Sequence, residues 1–312
     1  MNLKPSGTTQ LYGMSYFFNE IISLYNEKKM PTKILLSGRK GLGKSTMAYH
    51  IINYILSNTE DFKYDSDQLT INKENRSFKL LQNNSHPNFY LIDLLNDKKN
   101  IDVAQIREMI TYTNKSTFNN MPRLILIDNI ENLNKNSVNA LLKVVEEPNE
   151  NVFFILINNN EKYILPTLKS RCLTFNINFT FNQSMHVSNK ILHDNIFELI
   201  NPDLINYYNT PGEIINLINF SRDKNINLKE YTLITFLNLL IDNGYYKKDK
   251  FVKNLLINFI ELFFLKEYKL SNTKKTLLSY YHNFVIKIHN TKKFNLDEES
   301  LFLEFKSKLL NG

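Results

Sequence analysis

Residues 38–45 read Gly-Arg-Lys-Gly-Leu-Gly-Lys-Ser and match G-x-x-x-x-G-K-[ST] at every fixed position. No other stretch constrains the fold as much, because the motif works only between a strand and a helix. Both neighbours fit. Lys33-Ile34-Leu35-Leu36-Ser37 is a short apolar run with strand character. Met47, Ala48, Ile51, Ile52, Ile55 and Leu56 recur at helical spacing. Gly38, Gly41 and Gly43 let the backbone turn its N–H groups inward on phosphate oxygens. The helix N-terminus, with Thr46 in its first turn, adds partial positive charge. Lys44 is placed to reach the β- and γ-phosphates, and the Ser45 hydroxyl to ligate Mg²⁺. The chemistry expected of this loop is ATP or ADP binding with Mg²⁺.

The rhythm continues downstream. Residues 10–30 carry an amphipathic pattern through Phe17, Phe18, Ile21, Ile22, Leu24 and Tyr25. Apolar runs at 88–92, 123–128 and 152–157 read as strands, and 101–112 and 136–146 as helices. Alternating strands and helices predict a parallel sheet with helices on both faces. Residues 57–85 are polar and read as an insertion or an irregular helix-loop segment. From about residue 178 the alternation stops. Residues 189–222 and 229–309 read as helices, broken at Pro211-Gly212 and Asn243-Gly244.

Composition narrows the function classes. Net charge is +7, carried mostly by lysine, with arginine only at 39, 76, 107, 123, 171 and 222. That balance is compatible with nucleic acid nearby without requiring it. The cluster Lys247, Lys248, Lys250, Lys274 and Lys275 reads first as a solvated helix face. Cys172 is the single cysteine, so an internal disulfide and a cysteine zinc site are excluded. With no apolar run of membrane-span length and no leader pattern, the expectation is a cytoplasmic protein without membrane contact.

The second phosphate-site element is Asp128, at the carboxyl end of a buried strand. It is placed to hold Mg²⁺ together with Ser45. The next residue is Asn129, whose neutral amide cannot serve as a general base. Glu131 lies two positions on, where a turn would aim it elsewhere.

Asn139-Ala140-Leu141-Leu142-Lys143, Glu146-Glu147-Pro148 and Ser170-Arg171-Cys172 follow this strand in order. The sequence thereby resembles the clamp-loader branch of the AAA+ ATPases. His86-Pro87-Asn88, Ile101 to Arg107 and Phe294-Asn295-Leu296-Asp297 are similar to delta-prime subunits of bacterial DNA polymerase III more than to the gamma/tau type. The resemblance is strong over 31–175 and thin beyond 225. It implies an AAA+ domain over residues 1–177, a small helical lid over 178–224 and an all-α collar over 225–312. It implies that Asn158 or Asn159 reads the γ-phosphate, although a run of three asparagines is also what a turn looks like. It makes Arg171 an arginine finger offered to a neighbouring subunit.

Two departures qualify it. Many ATPase members carry a four-cysteine zinc module, which the cysteine count rules out here. Glu213 stands where the lid helix normally supplies a cation, and a carboxylate there would repel a γ-phosphate. With Asn129, this points to a stator that donates its arginine and hydrolyses little or no ATP itself. Such a subunit belongs to a polymerase holoenzyme without polymerase chemistry of its own. The implied partners are gamma/tau-type and delta subunits in a hetero-pentameric ring, the sliding clamp, and primed DNA met directly or through the ring. The competing reading is a self-sufficient gamma/tau-like motor. A P-loop nucleotide kinase is a third, but it lacks placeable acceptor and lid arginines.

Overall fold

The structure is a computed structural model that describes residues 4–95, 98–115, 121–146, 149–247, 249–270, 274–294 and 296–310. Glu147, Pro148, Lys248 and Asn295 lie outside the described residues. The chain divides into two compact units, residues 1–193 with 209–217, and 194–208 with 218–312.

The first unit runs α1 (Ser15–Asn26), β1 (Lys33–Ser37), α2 (Lys44–Leu56), α3 (Arg76–Gln82), β2 (Phe89–Ile92), α4 (Val103–Thr113), β3 (Arg123–Ile127), α5 (Lys135–Glu146), β4 (Val152–Asn158), α6 (Pro166–Lys169), β5 (Leu173–Asn176) and α7 (Phe181–Leu192). All strand pairs are parallel, in the order β2-β3-β4-β1-β5. The sheet is buried on both faces, and strand alternation sorts its side chains between two cores. Ile34, Leu36, Leu124, Leu126, Ile155 and Ile157 pack with α1 and α2 residues such as Phe18, Ile21, Met47 and Ile51. Leu35, Ile125, Ile127, Phe154 and Leu156 pack with Ile106 and Met109 of α4 and Leu141 and Val145 of α5. The expected parallel sheet covered on both faces is thus present. The fifth strand was not anticipated from sequence. Leu173-Thr174-Phe175-Asn176 buries only Phe175 and pairs with β1 at the sheet edge, so its pattern carries little signal.

The polar stretch 57–85 is ordered by its own hydrogen bonds. The Asn75 side chain caps α3 by accepting from the Phe78 N–H at 2.7 Å. Glu60 adds a carboxylate at the same helix start, accepting from the Arg76 and Ser77 N–H groups at 2.9 and 3.0 Å. A carboxylate there meets the positive end of the helix dipole.

Polar side chains also enter the core. His50 on α2 is fully buried, with Nδ1 2.9 Å from the Tyr64 hydroxyl and Nε2 3.1 Å from the Thr8 carbonyl oxygen. A carbonyl only accepts, so Nε2 carries the proton; Nδ1 then accepts from Tyr64. Burial pulls the imidazole down to about 4. Between that value and the ordinary 6.5, the unfolded chain binds a proton that the native state refuses. The resulting stabilisation is complete above about pH 6.5 and fades as pH falls towards 4, an effect of at most about 3 kcal/mol. Urea midpoints should therefore drop more steeply between pH 7 and 4.5 in the wild type than in His50→Gln. Parallel pH profiles would disprove this.

The second unit is helical: α8 (Ile196–Leu199), the end of α9 (Pro211–Asp223), α10 (Leu233–Asp242), α11 (Lys250–Leu270), α12 (Lys274–Phe294) and α13 (Glu299–Phe305). Edge-to-face rings join its helices, with Phe236–Phe259 centroids 5.3 Å apart and Phe263–Phe305 5.5 Å apart. On α12 Phe284 is buried, while Leu278, Tyr280, Val285 and Ile286 are exposed. Among the described residues, no helix is long and apolar enough to cross a membrane.

Candidate nucleotide site

The P-loop joins β1 to α2. Gly41 and Gly43 have φ of +84° and +91°, backbone conformations that only glycine adopts freely. The first-turn N–H groups of α2 have no helical acceptors and face the space where phosphates would sit. The Lys44 ammonium is buried and donates to the carbonyl oxygens of Gly38 and Arg39 at 2.8 and 2.7 Å. Burial pulls it down to about 8, while the nearby Asp128 and Glu131 carboxylates act in the opposite direction. Gly38 plays a different part from the other two glycines. Its N–H is spent on the Asn158 carbonyl at 3.2 Å, where the loop leaves the sheet.

Asp128 follows β3, two strands from β1. Its Oδ2 accepts from the Ser45 hydroxyl at 2.5 Å and its Oδ1 from the Asn129 N–H at 2.7 Å. Burial raises its pKa above the usual carboxylate range, and the Ser45 hydrogen bond opposes that rise. A hydroxyl and a carboxylate converging beside a phosphate cradle are the hard oxygen donors that suit Mg²⁺. The donor set therefore fits a magnesium nucleotide, with Ser45 and Asp128 as the residues that would hold the metal.

A cavity of about 790 Å³ opens over these groups. Its wall includes Lys40 to Thr46, Asp128, Asn129 and Asn159, the segment Thr8 to Tyr12, Lys73, Val187, Ile191, His193, Pro211, Gly212 and Ile215. It lies wholly within the first unit. The sequence-predicted Gly41, Gly43, Lys44, Ser45, Thr46 and Asp128 are thus brought together.

Of the two asparagines proposed to read the γ-phosphate, Asn159 is on the wall. Asn158 turns to the sheet: its amide donates to the Ser37 hydroxyl at 3.2 Å and to Asn160 Oδ1 at 2.6 Å. Strand alternation is the reason, since neighbouring side chains leave β4 in opposite directions. Asn159 in turn is held by its N–H on Glu131 Oε2 at 3.2 Å and by its amide on Asn129 Oδ1 at 2.9 Å. Glu131 is buried, and its other oxygen has no hydrogen-bond partner among the described residues.

Asn129 occupies the left-handed region, with φ of +56°, and donates to Asp93 Oδ1 at 2.6 Å. Asp93, just beyond β2, is therefore a carboxylate beside the site that sequence reading missed. Its only signal was its place after a strand.

The expectation for Glu213 needs correcting. Its Oε2 accepts from the Thr210 N–H at 2.9 Å, closing a helix cap, and its Oε1 lies 3.5 Å from Arg39. Residues i and i+3 share one helix end, so Glu213 is turned back on its own N-terminus and is not part of the cavity wall. What α9 presents to the cavity is Pro211, Gly212 and Ile215, which carry no charge. The helix start also sits hard against the loop. Gly212 N–H donates to Gly41 O at 2.9 Å, and Thr210 Oγ1 to Lys40 O at 3.0 Å.

Arg171 is outside this cavity. It follows α6, half-exposed, with Nη2 2.8 Å from Glu146 Oε1 and Nη1 2.8 Å from the Thr167 carbonyl oxygen.

Residues 14–180 match the family described as DNA polymerase III, delta subunit. The chain is 30% identical over 161 residues to DNA polymerase III subunit delta' of Buchnera aphidicola subsp. Schizaphis graminum, covering 51% of this chain and 47% of that one. It is 30% identical over 193 residues to the gamma subunit of the same organism, covering 60% and 50%. The chain spans about half the length of these curated relatives. Among solved structures, a DNA polymerase III gamma subunit-related protein from Thermotoga maritima is 16% identical with a TM-score of 0.42, covering 84% of this chain and 76% of that one.

Proposed function

The chain belongs to the DNA polymerase III, delta subunit family, and on that premise we propose that it is a delta-prime-like clamp-loader subunit that binds a magnesium nucleotide, hydrolyses it poorly and lends Arg171 to a neighbour. The observation that carries this reading is the composition of the cavity wall. Lys44, Ser45 and Asp128 supply a phosphate and metal cradle, while an amide at 129 stands where a water-activating carboxylate is needed. Pro211, Gly212 and Ile215 offer no cation from α9. Arg171 lies beyond its own cavity, half-exposed, which suits a group presented outward.

The proposed partners are gamma/tau-type and delta subunits in a hetero-pentameric ring, with the sliding clamp and primed DNA as its targets, in the cytoplasm. Within the chain we assign residues 1–177 to the AAA+ domain, 178–224 to the lid and 225–312 to a collar. The exposed Leu278, Val285 and Ile286 of α12 support the collar assignment, because side chains of this kind are covered in a ring.

The test is steady-state phosphate release by the purified chain. Turnover well below about 1 s⁻¹ is expected, an order of magnitude under the ordinary enzyme median. Release at or above that rate would overturn the stator reading and favour a self-sufficient motor.

A further inference from the structure

We infer that His50 is a positioning residue of the nucleotide cavity, fixing the wall formed by Thr8 to Tyr12 against the P-loop helix. The inference rests on the nucleotide reading of the cavity. It deepens that reading by separating the residues that hold phosphate from those that hold the nucleoside side.

The wall segment has almost no regular structure of its own, so its backbone groups must find partners elsewhere. Several of them go to residues 65–73. Leu11 N–H donates to Leu69 O at 3.1 Å, Ile71 N–H to Thr9 O at 2.8 Å, and the Gln10 amide to Gln68 O at 2.8 Å. These bonds build a small ribbon without tying it to the P-loop. Leu11 packs in the same apolar cluster as α2, and a direct hydrogen bond from the wall segment to α2 is the one between His50 Nε2 and the Thr8 carbonyl. His50 lies five residues after Ser45, about 7.5 Å along the helix axis. A displacement of Thr8 at that bond would therefore move the wall relative to the phosphate cradle.

The imidazole is itself held. Its Nδ1 accepts from Tyr64, whose ring is stacked on Phe18 at 5.1 Å and edge-on to Tyr54 at 6.0 Å. Tyr64, His50 and Thr8 form a line of hydrogen bonds, with the imidazole held by the Tyr64 hydroxyl on one side and meeting the Thr8 carbonyl on the other. The polar stretch 57–85 thus supplies the hydroxyl that sets the imidazole. The cradle takes phosphates. The rest of the cavity, along Gln10, Leu11, Tyr12, Val187 and Ile215, is the mixed apolar surface that a base and ribose would meet.

Substituting His50 should therefore cost affinity for a nucleotide but not for a bare phosphate chain. The test is calorimetric titration of the full chain with MgATP and, separately, with magnesium tripolyphosphate. One buried hydrogen bond contributes about 0.5–1.5 kcal/mol, or roughly two- to twelvefold in affinity. His50→Leu should weaken MgATP by about that factor and leave tripolyphosphate within about twofold. His50→Gln can donate to Thr8 and accept from Tyr64, and should restore MgATP binding. Tyr64→Phe removes one hydroxyl from a packed ring; it should weaken MgATP selectively as well, and it serves if His50→Leu does not fold. Equal losses for both ligands, or no loss for either, would overturn the inference while leaving the nucleotide reading intact. A wild-type chain that binds tripolyphosphate but gains nothing from the nucleoside would also overturn it. Binding of neither ligand by the wild type would instead remove the nucleotide reading, and this inference with it.

Discussion

On the clamp-loader reading proposed above, replacing Arg171 by alanine is expected to leave this chain folded and able to join a ring of subunits, and to cripple ATP turnover at the neighbouring site. A guanidinium supplied in trans spreads charge over the transferring phosphoryl oxygens and accounts for about 10³–10⁵ in rate in well-studied cases. Only one ring site would lose it, so the loss in clamp loading by the whole assembly is expected to be smaller. The pairing with Glu146 does not prevent such a role. An ion pair this exposed stabilises by about 0–1 kcal/mol, so releasing it towards a phosphate costs little. Arg171→Lys should rescue only in part, because an ammonium lacks the planar fork. The measurement is DNA-stimulated ATP hydrolysis and clamp loading by an assembly reconstituted with variant and wild-type chains. Wild-type rates for Arg171→Ala would leave Arg171 as a surface arginine bound to Glu146.

The second large effect is expected at Lys44. Its ammonium bridges the carbonyl oxygens of Gly38 and Arg39 on the loop that forms the cavity wall. A charged hydrogen bond to phosphate contributes about 1.5–3 kcal/mol, so Lys44→Ala should weaken MgATP by about one to two orders of magnitude. The same substitution removes the bridge between two loop carbonyls, so a thermal melt should be recorded beside the titration. Equal affinity in wild type and variant would mean that the loop does not engage phosphate. The two experiments separate the two halves of the proposal, since Arg171 is outside the cavity and Lys44 is within it.

The strand, glycine loop and helix around Lys44 were legible because they are coded locally. A five-residue apolar strand, a positive-φ loop and a helix with buried i, i+3 and i+4 positions announce themselves without knowledge of the remaining chain. The same holds for Asp128 at the end of β3, where five buried residues precede the acid. The edge strand β5 was not legible, because four residues with one buried side chain carry no clear period.

The site's finer assignments depended on contacts between residues far apart in the chain. Asn158 and Asn159 are the same residue type in adjacent positions, so nothing in the sequence separates them. At the end of β4 they leave in opposite directions, and Asn158 is held by Ser37, 121 residues away, and by Asn160, while Asn159 lies on the cavity wall. Glu213 looked like a charge facing phosphate until Thr210 and Arg39 claimed its two oxygens. Asp93, Thr8 and Tyr64 carry no motif, and they join the site through hydrogen bonds to Asn129 and His50. Sequence alone determined that the chain builds an α/β P-loop domain with an acid beside the loop, since local periodicity and turn chemistry suffice for that. Tertiary structure decided which side chains face the nucleotide cavity, because side-chain direction at a strand or helix end is set by the partner that captures it.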